Sequence, residues 1–181
     1  MKNILSQIQK EVFTAKEALK EGLSYYELNL LVKEGLLIKV DRGVFAKATT
    51  KQESSDNEHY AVVLAKLGYP SALCLWSALV FHDLTEEAPA EIWVYVPYEK
   101  TTRLDIRTVR KRNPQWDIGF ETIDGIRITT TERTLVDVLL DRRHFSEVQA
   151  YKILMDAIRA KRTTFNKLYT MAKKTQGRGT A

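Results

Sequence analysis

A chain of 181 residues with 44% hydrophobic and 28% charged side chains describes a soluble globular protein, with core material for one ordinary domain or two small ones. No apolar run approaches the roughly twenty residues needed to cross a bilayer, and MKNILSQIQKEVF lacks the long apolar region of a secretion signal, so a cytoplasmic protein without membrane partners is expected. The net charge of +5 favours anionic partners, the lone Cys74 can form no internal disulfide, and His59, His82 and His144 are too scattered for a zinc site, so neither metal nor cofactor is expected.

At the amino terminus, Ile4, Leu5 and Ile8 fall at helical spacing, and Val12-Phe13 predicts a short strand. Thr14 with Glu17 forms a capping box; the helix it starts turns Ala15, Ala18 and Leu19 inward and Lys16 and Lys20 outward, and stops at Gly22. Leu23 is placed to staple the next start, where Ser24 and Glu27 form a second capping box. Here Leu28, Leu31 and Val32 define a buried stripe, leaving Tyr26, Leu30 and Lys33 on the opposite face with Asn29 at its flank, until Gly35 stops the helix. The period then changes. Leu36, Ile38 and Val40 alternate as a strand, Asp41-Arg42-Gly43 turns, and Val44-Phe45 pairs back.

Helix, turn, helix and basic-tipped hairpin predict a winged helix-turn-helix over residues 1–48. In that geometry the second helix enters the major groove while the first crosses the backbone, so Lys16 and Lys20 fall to phosphates. Tyr26, Asn29 and Lys33 reach base edges or phosphates, because asparagine pairs with adenine and lysine reaches guanine. Ser24 and Tyr25 open the same helix, and Lys39 and Arg42 belong to the wing, which completes the expected DNA-binding set. Leu30 fits a thymine methyl or a protein contact instead.

Residues 46–57 are polar and aperiodic and read as a linker, which gives a second unit over 56–175. Its first expected helix is Glu58–Leu67, with Tyr60, Ala61, Leu64 and Leu67 inward, ended by Gly68 and Pro70. SALCLWSALVFHDL is nearly all apolar, extended at first and helical near Ser77, with His82 as a hydrogen-bonded core residue. Strands are expected at 92–96, 106–109, 119–123 and 126–128, the last two joined by Asp124-Gly125 in a tight hairpin. Helices follow from Thr131, from Ser146 with Val148, Tyr151, Leu154, Met155 and Ile158, and from Thr164 to about Ala172, with a frayed tail from Lys173. The class is α+β: the winged unit, then a mixed α/β domain with a small antiparallel-containing sheet and carboxy-terminal helices.

Two basic clusters lie outside the winged unit. Arg103, Arg107, Arg110, Lys111 and Arg112 are diluted only by Asp105, and no acidic residue follows Asp156, where Arg159, Lys161, Arg162, Lys167, Lys173, Lys174 and Arg178 collect. Arg103, Arg107, Arg110, Arg112, Lys161, Arg162 and Lys167 are therefore candidates for secondary contact with DNA or a partner. Glu132, Asp137 and Asp141 invite a metal-dependent enzyme reading, but Glu132 and Asp137 point to different faces of one helix, and Arg133 with Asp137 is an i,i+4 salt bridge. No acidic residue is followed two positions later by the lysine of a restriction-type nuclease, no glycine precedes serine as a nucleotidyltransferase requires, and no phosphate-cradling Gly-rich loop is present. No catalytic residue is expected.

Three ordered blocks, LVKEGLLIKVDRGVF (31–45), WSALVFHDLT (76–85) and TERTLVDVL (131–139), resemble the AbiEi antitoxins of AbiE-type abortive-infection systems, classed as type IV toxin–antitoxin systems. Arg42-Gly43-Val44 match the family's pattern, Phe45 replaces its usual tyrosine, and Lys39 stands where arginine is common. The resemblance implies a winged helix that represses its own operon at promoter inverted repeats in double-stranded DNA, and a carboxy-terminal domain that opposes a nucleotidyltransferase-like toxin without requiring a stable complex. A monomer or weak dimer is expected. The alternative from the residues alone is a protein-interaction module, or a stand-alone regulator without antitoxin activity.

Overall fold

The computed structural model describes residues 5, 8, 10–48, 57–99, 104–112 and 116–176. Among them are seven helices and eight strands, divided by packing into two units, Met1–Tyr69 and Pro70–Ala181. The expected helix at 2–10, the polar segment 49–56, Arg103 and the end of the tail lie wholly or mostly outside the described residues. None of the described helices is long and apolar enough to cross a membrane.

In the first unit, β1 (Val12–Thr14), α1 (Ala15–Lys20), α2 (Tyr25–Lys33), β2 (Leu37–Asp41) and β3 (Val44–Lys47) follow in order. The strands form an antiparallel sheet in the order β1-β3-β2, with Phe13 opposite Phe45 and Leu37 opposite Lys47. Both capping boxes are formed: Glu17 N–H donates to Thr14 Oγ1 and Glu27 N–H to Ser24 Oγ, each at 3.2 Å, while each glutamate accepts from its cap residue's N–H at 2.8 Å. Gly35 ends α2 at φ +70°: its own N–H reaches Val32 O and the Leu36 N–H reaches Leu31 O, a Schellman closure that needs a left-handed residue at 35.

That closure corrects the expected strand phase. Leu36 is spent on the helix stop, so the strand begins at Leu37, which is buried, whereas Ile38 is 55% exposed. Ile8, Phe13, Ala18, Leu23, Leu28, Leu31, Leu37 and Phe45 make one core cluster. A second correction concerns α3 (Glu58–Leu67), expected to open the second unit: it packs on β1 and β3, and Lys66 forms an ion pair with Asp41. The division falls at Tyr69–Pro70 rather than in the polar linker, because a linker's composition does not say on which surface the next apolar helix face docks.

The second unit holds β4 (Ala72–Leu73), α4 (Leu75–Phe81), β5 (Ile92–Val96), β6 (Ile106–Arg110), β7 (Phe120–Ile123), β8 (Ile126–Thr129), α5 (Thr131–Leu140), α6 (Glu147–Arg159) and α7 (Phe165–Gln176). Its five strands run in the order β6-β5-β4-β8-β7; β5 pairs in parallel with β6 and β4 with β8, and the other pairs are antiparallel. Asp124 and Gly125 turn the β7–β8 hairpin at φ +50° and +77°. His82 Nε2 lies 2.7 Å from the Thr129 carbonyl, the hydrogen bond expected of it, though the ring is only partly buried rather than in the core. α4 begins at Leu75 rather than Ser77, and α7 continues through the lysines to Gln176 where fraying was expected. On α6 the buried face is Ala150, Ile153, Leu154 and Ala157, while Val148 and Tyr151, two of the residues whose spacing predicted the helix, are 80% and 60% exposed.

At the centre of this unit is a buried charge. Arg133 Nε donates to Asp137 Oδ2 at 2.7 Å and Nη1 to the Ile118 carbonyl, with both side chains 6% exposed, and Lys111 Nζ reaches Asp137 Oδ1 at 3.4 Å. Gly119, in the loop that Arg133 ties down, has no room for a Cβ, which would meet Met171 Sδ at 2.8 Å and Arg133 Cβ at 2.9 Å. Burial, joined by the nearby Cys74 and Asp137, pushes the Tyr95 hydroxyl well above its ordinary range.

Removing one partner of a buried ion pair leaves an uncompensated charge, so Asp137→Asn should lower the unfolding free energy of the second unit by about 3 kcal/mol. The pair Arg133→Met with Asp137→Leu should recover most of it; urea titrations in which the single change costs nothing would contradict this placement. In the first unit, hydrogen bonds from the Ser24 N–H and hydroxyl hold Glu27 below the usual carboxylate range. A lowered folded pKa stabilises above the unfolded value of about 4.3, and that stabilisation is lost as pH falls through the folded value. The melting-temperature gap between the native chain and Glu27→Gln should therefore be widest near neutral pH and close on acidification; a gap that does not vary with pH would show that the cap's charge plays no part.

Candidate nucleic-acid interface

A helix that reads a ligand needs one face held down and the other clear. Leu28 and Leu31 are fully buried and anchor α2, while Tyr25 is 62% and Tyr26 76% exposed and Asn29 and Lys33 are also exposed. At about 3.6 residues per turn these exposed side chains form one face, with Asn29 within it rather than at its flank. Leu30 stands at the edge, partly buried. Ser24 differs from the rest, because its hydroxyl donates to Glu27 Oε2 at 2.7 Å and accepts from the Glu27 N–H. Its first role is as the cap.

The hairpin tip is tied to the same body. Ala15 N–H donates to the Gly43 carbonyl at 2.8 Å, which fixes the turn against the start of α1, next to Lys16. The β2–β3 register shifts between Lys39 and Asp41, a bulge that kinks the strand as it reaches the tip. Lys39 and Arg42 are exposed there, as are Lys16 and Lys20 on α1. None of Lys16, Lys20, Lys33, Lys39 and Arg42 makes an ion pair among the described residues. The neighbouring acids are largely engaged. Glu17 binds Lys10 at 2.6 Å, Glu27 is in its capping box, and Asp41 is held below its usual pKa by the Lys66 ammonium and the Arg42 N–H. Glu21 and Glu34, at the two helix ends, are the exposed carboxylates that remain beside this surface. The surplus is cationic, with one carboxamide and two phenols among the ammonium groups: donors for phosphate oxygens and base edges.

The outlying basic residues are a different matter. Arg107 is paired with Glu91 at 2.8 Å and lies over the Trp93 ring, Arg110 approaches Glu99 at 3.8 Å, and Lys111 is drawn to Asp137, so much of that cluster is spent internally. Arg112, Lys161, Arg162 and Lys167 are exposed, with Arg162 3.7 Å from Asp83. Sequence reading missed Arg127, which lies 3.3 Å from Asp117 and stacks over Trp116; the acid it meets is ten residues away in sequence, beyond any helical pairing rule.

The three carboxylates that invited an enzyme reading go separate ways. Glu132 accepts from Thr163 Oγ1 at 3.0 Å, Asp137 holds Arg133, and Asp141 lies 2.9 Å from His144 Nδ1. Among the described residues no group of three or more His, Cys, Asp and Glu side chains is placed to hold a metal ion. Burial pushes the Cys74 thiol well above its ordinary range, away from nucleophilic chemistry.

Residues 4–46 match the model of a family described as "Transcriptional regulator, AbiEi antitoxin". No curated protein sequence matches the chain. Among solved structures, the chain is similar to that described as "Crystal structure of RV2827C protein from Mycobacterium tuberculosis", at a TM-score of 0.54 and 15% identity, over 92% of this chain and 68% of that one. At that identity the likeness is one of fold. The matched segment contains α1, α2 and the strands up to Ala46, which is the body that carries the exposed helix face and the basic turn; over this segment the chain is similar to the AbiEi antitoxin family of transcriptional regulators.

Proposed function

We propose that the chain is a DNA-binding autorepressor and antitoxin of an AbiE-type system, with its first unit acting as a winged helix. The observation that carries this reading is the clear face of α2, where Tyr25, Tyr26, Asn29 and Lys33 are exposed above a fully buried Leu28–Leu31 stripe. α2 enters the major groove, α1 brings Lys16 and Lys20 to one phosphate backbone, and the β2–β3 turn carries Arg42 and Lys39 to the other. Asn29 is the residue with bidentate chemistry for adenine, and Lys33 is a donor for guanine or phosphate. Arg112, Lys161, Arg162 and Lys167 add contacts to flanking phosphates. Two copies bind inverted repeats in the promoter, and the second unit opposes a nucleotidyltransferase-like toxin without holding it in a stable complex. The family match over the first unit supports the regulator half of this reading. A protein-docking role for α2 would rest on Leu30, which is half-buried and peripheral.

Replacing Lys33 and Arg42 together by alanine should weaken binding to the chain's own promoter duplex by at least about tenfold, and should lower the slope of log affinity against log salt by about 2. Asn29→Ala should flatten the preference at one base position by about 1–3 kcal/mol. Fluorescence-anisotropy titrations over a range of salt measure both. Unchanged affinity and slope in the double variant would refute the assigned surface.

A further inference from the structure

The turn between β2 and β3 is held from two sides. Asp41 lies opposite Val44 in the ladder, which leaves Arg42 and Gly43 as a two-residue loop, with Gly43 at φ +73°. The Gly43 carbonyl is tied to the start of α1 by the Ala15 N–H. On the other side, the Asp41 carboxylate has two partners. Its Oδ1 accepts from the Arg42 N–H at 2.5 Å, and its Oδ2 meets the ammonium of Lys66, in the last turn of α3.

Lys66 comes from beyond residue 46, where the family match ends, and from a helix to which the DNA reading gives no part. Its place is set by the packing of α3 on β1 and β3, with Tyr60 buried, and a cation is favoured at the carboxyl end of a helix. An ion pair near the surface contributes little to folding. Its consequence lies beside it. A carboxylate next to Arg42 with no ammonium to hold it would repel phosphate oxygens and compete for the Arg42 guanidinium, because a carboxylate and a phosphate draw on the same forked N–H donors. As the molecule stands, Lys66 takes the carboxylate, and Arg42 is exposed and makes no ion pair among the described residues.

We propose that Lys66 is a positioning residue for DNA binding: by occupying the Asp41 carboxylate it leaves the Arg42 guanidinium to the phosphate backbone. This role rests on the DNA reading of the first unit. α3 joins the DNA-binding body through this pair, not through contact with the duplex. Losing Lys66 therefore costs affinity only while residue 41 carries a negative charge.

The test is a double-variant cycle in the full chain, read by fluorescence anisotropy on the promoter duplex over a range of salt. Lys66→Met keeps the length of the side chain and removes the ammonium. It should weaken binding by about threefold or more and lower the slope of log affinity against log salt by about 1, with circular dichroism and melting temperature close to those of the native chain. Lys66→Arg, which keeps the charge, should restore both affinity and slope. Asp41→Asn, whose amide oxygen still accepts from the Arg42 N–H, should bind at least as tightly as the native chain, and in that background Lys66→Met should cost nothing further. Three outcomes would overturn the proposal. Native affinity in Lys66→Met would show that the pair does not serve DNA binding. An equal loss in both backgrounds would make Lys66 a phosphate contact in its own right. A loss that tracks a fall in melting temperature and persists with Asp41→Asn would make the pair a structural strut alone. A native chain that binds no promoter duplex would instead refute the DNA reading, and this role with it, so the two failures are told apart.

Discussion

The stacking of Phe13 on Phe45, with ring centroids 6.3 Å apart across β1 and β3, is the joint on which the first unit depends. Both rings are buried in one cluster with Leu28 and Leu31, the residues that hold α2 down. A hairpin of this size is not stable alone in water, and a helix as short as α2 is marginal without tertiary packing. Each is ordered by the other through this pair. The consequence is functional: Lys33 at the end of the helix and Arg42 at the hairpin turn belong to one rigid body, so their spacing is set before any ligand arrives, and little ordering cost attends binding.

The second unit solves a different problem. Arg133 and Asp137 lie in its interior, where a charge is tolerable only with a partner and with its remaining hydrogen bonds filled. The Ile118 carbonyl and Lys111 supply these, and the loop through Gly119 closes against the arginine so tightly that a methyl group does not fit. The pair therefore couples α5 to the turn that leads into β7 and to the residue that follows β6. A hydrophobic pair of equal volume would pack as well but would not specify that the carbonyl of residue 118 must face inward.

Local chemistry was the legible part. Thr14 with Glu17, Ser24 with Glu27, the stops at Gly22 and Gly35, and the Asp124-Gly125 hairpin all sit where short-range rules put them, because each depends on hydrogen bonds within a few residues. The parity of β2 was not legible: three successive apolar residues, Leu36, Leu37 and Ile38, suit either phase, and the Schellman closure chooses. Nor was the docking of Glu58–Leu67 on the first sheet, or the exposure of Val148, Tyr151 and Phe165, since an apolar residue in a helix announces a face without naming its neighbour. The exposed cations on α1, α2 and the hairpin were legible as candidates; the internal pairing of Arg107 and Arg110 was not, because Glu91 and Glu99 come to them from the segments on either side of β5.

The central claim is that the exposed face of α2 and the adjoining turn form the surface that meets DNA. Amide chemical-shift mapping of the full chain, titrated with the duplex upstream of its own gene, tests it most directly. Perturbations concentrated on Tyr25, Tyr26, Asn29, Lys33, Lys39 and Arg42, fading into the buried face of α2, are the predicted result. Shifts confined to the second unit, with α2 silent at saturation, would contradict it.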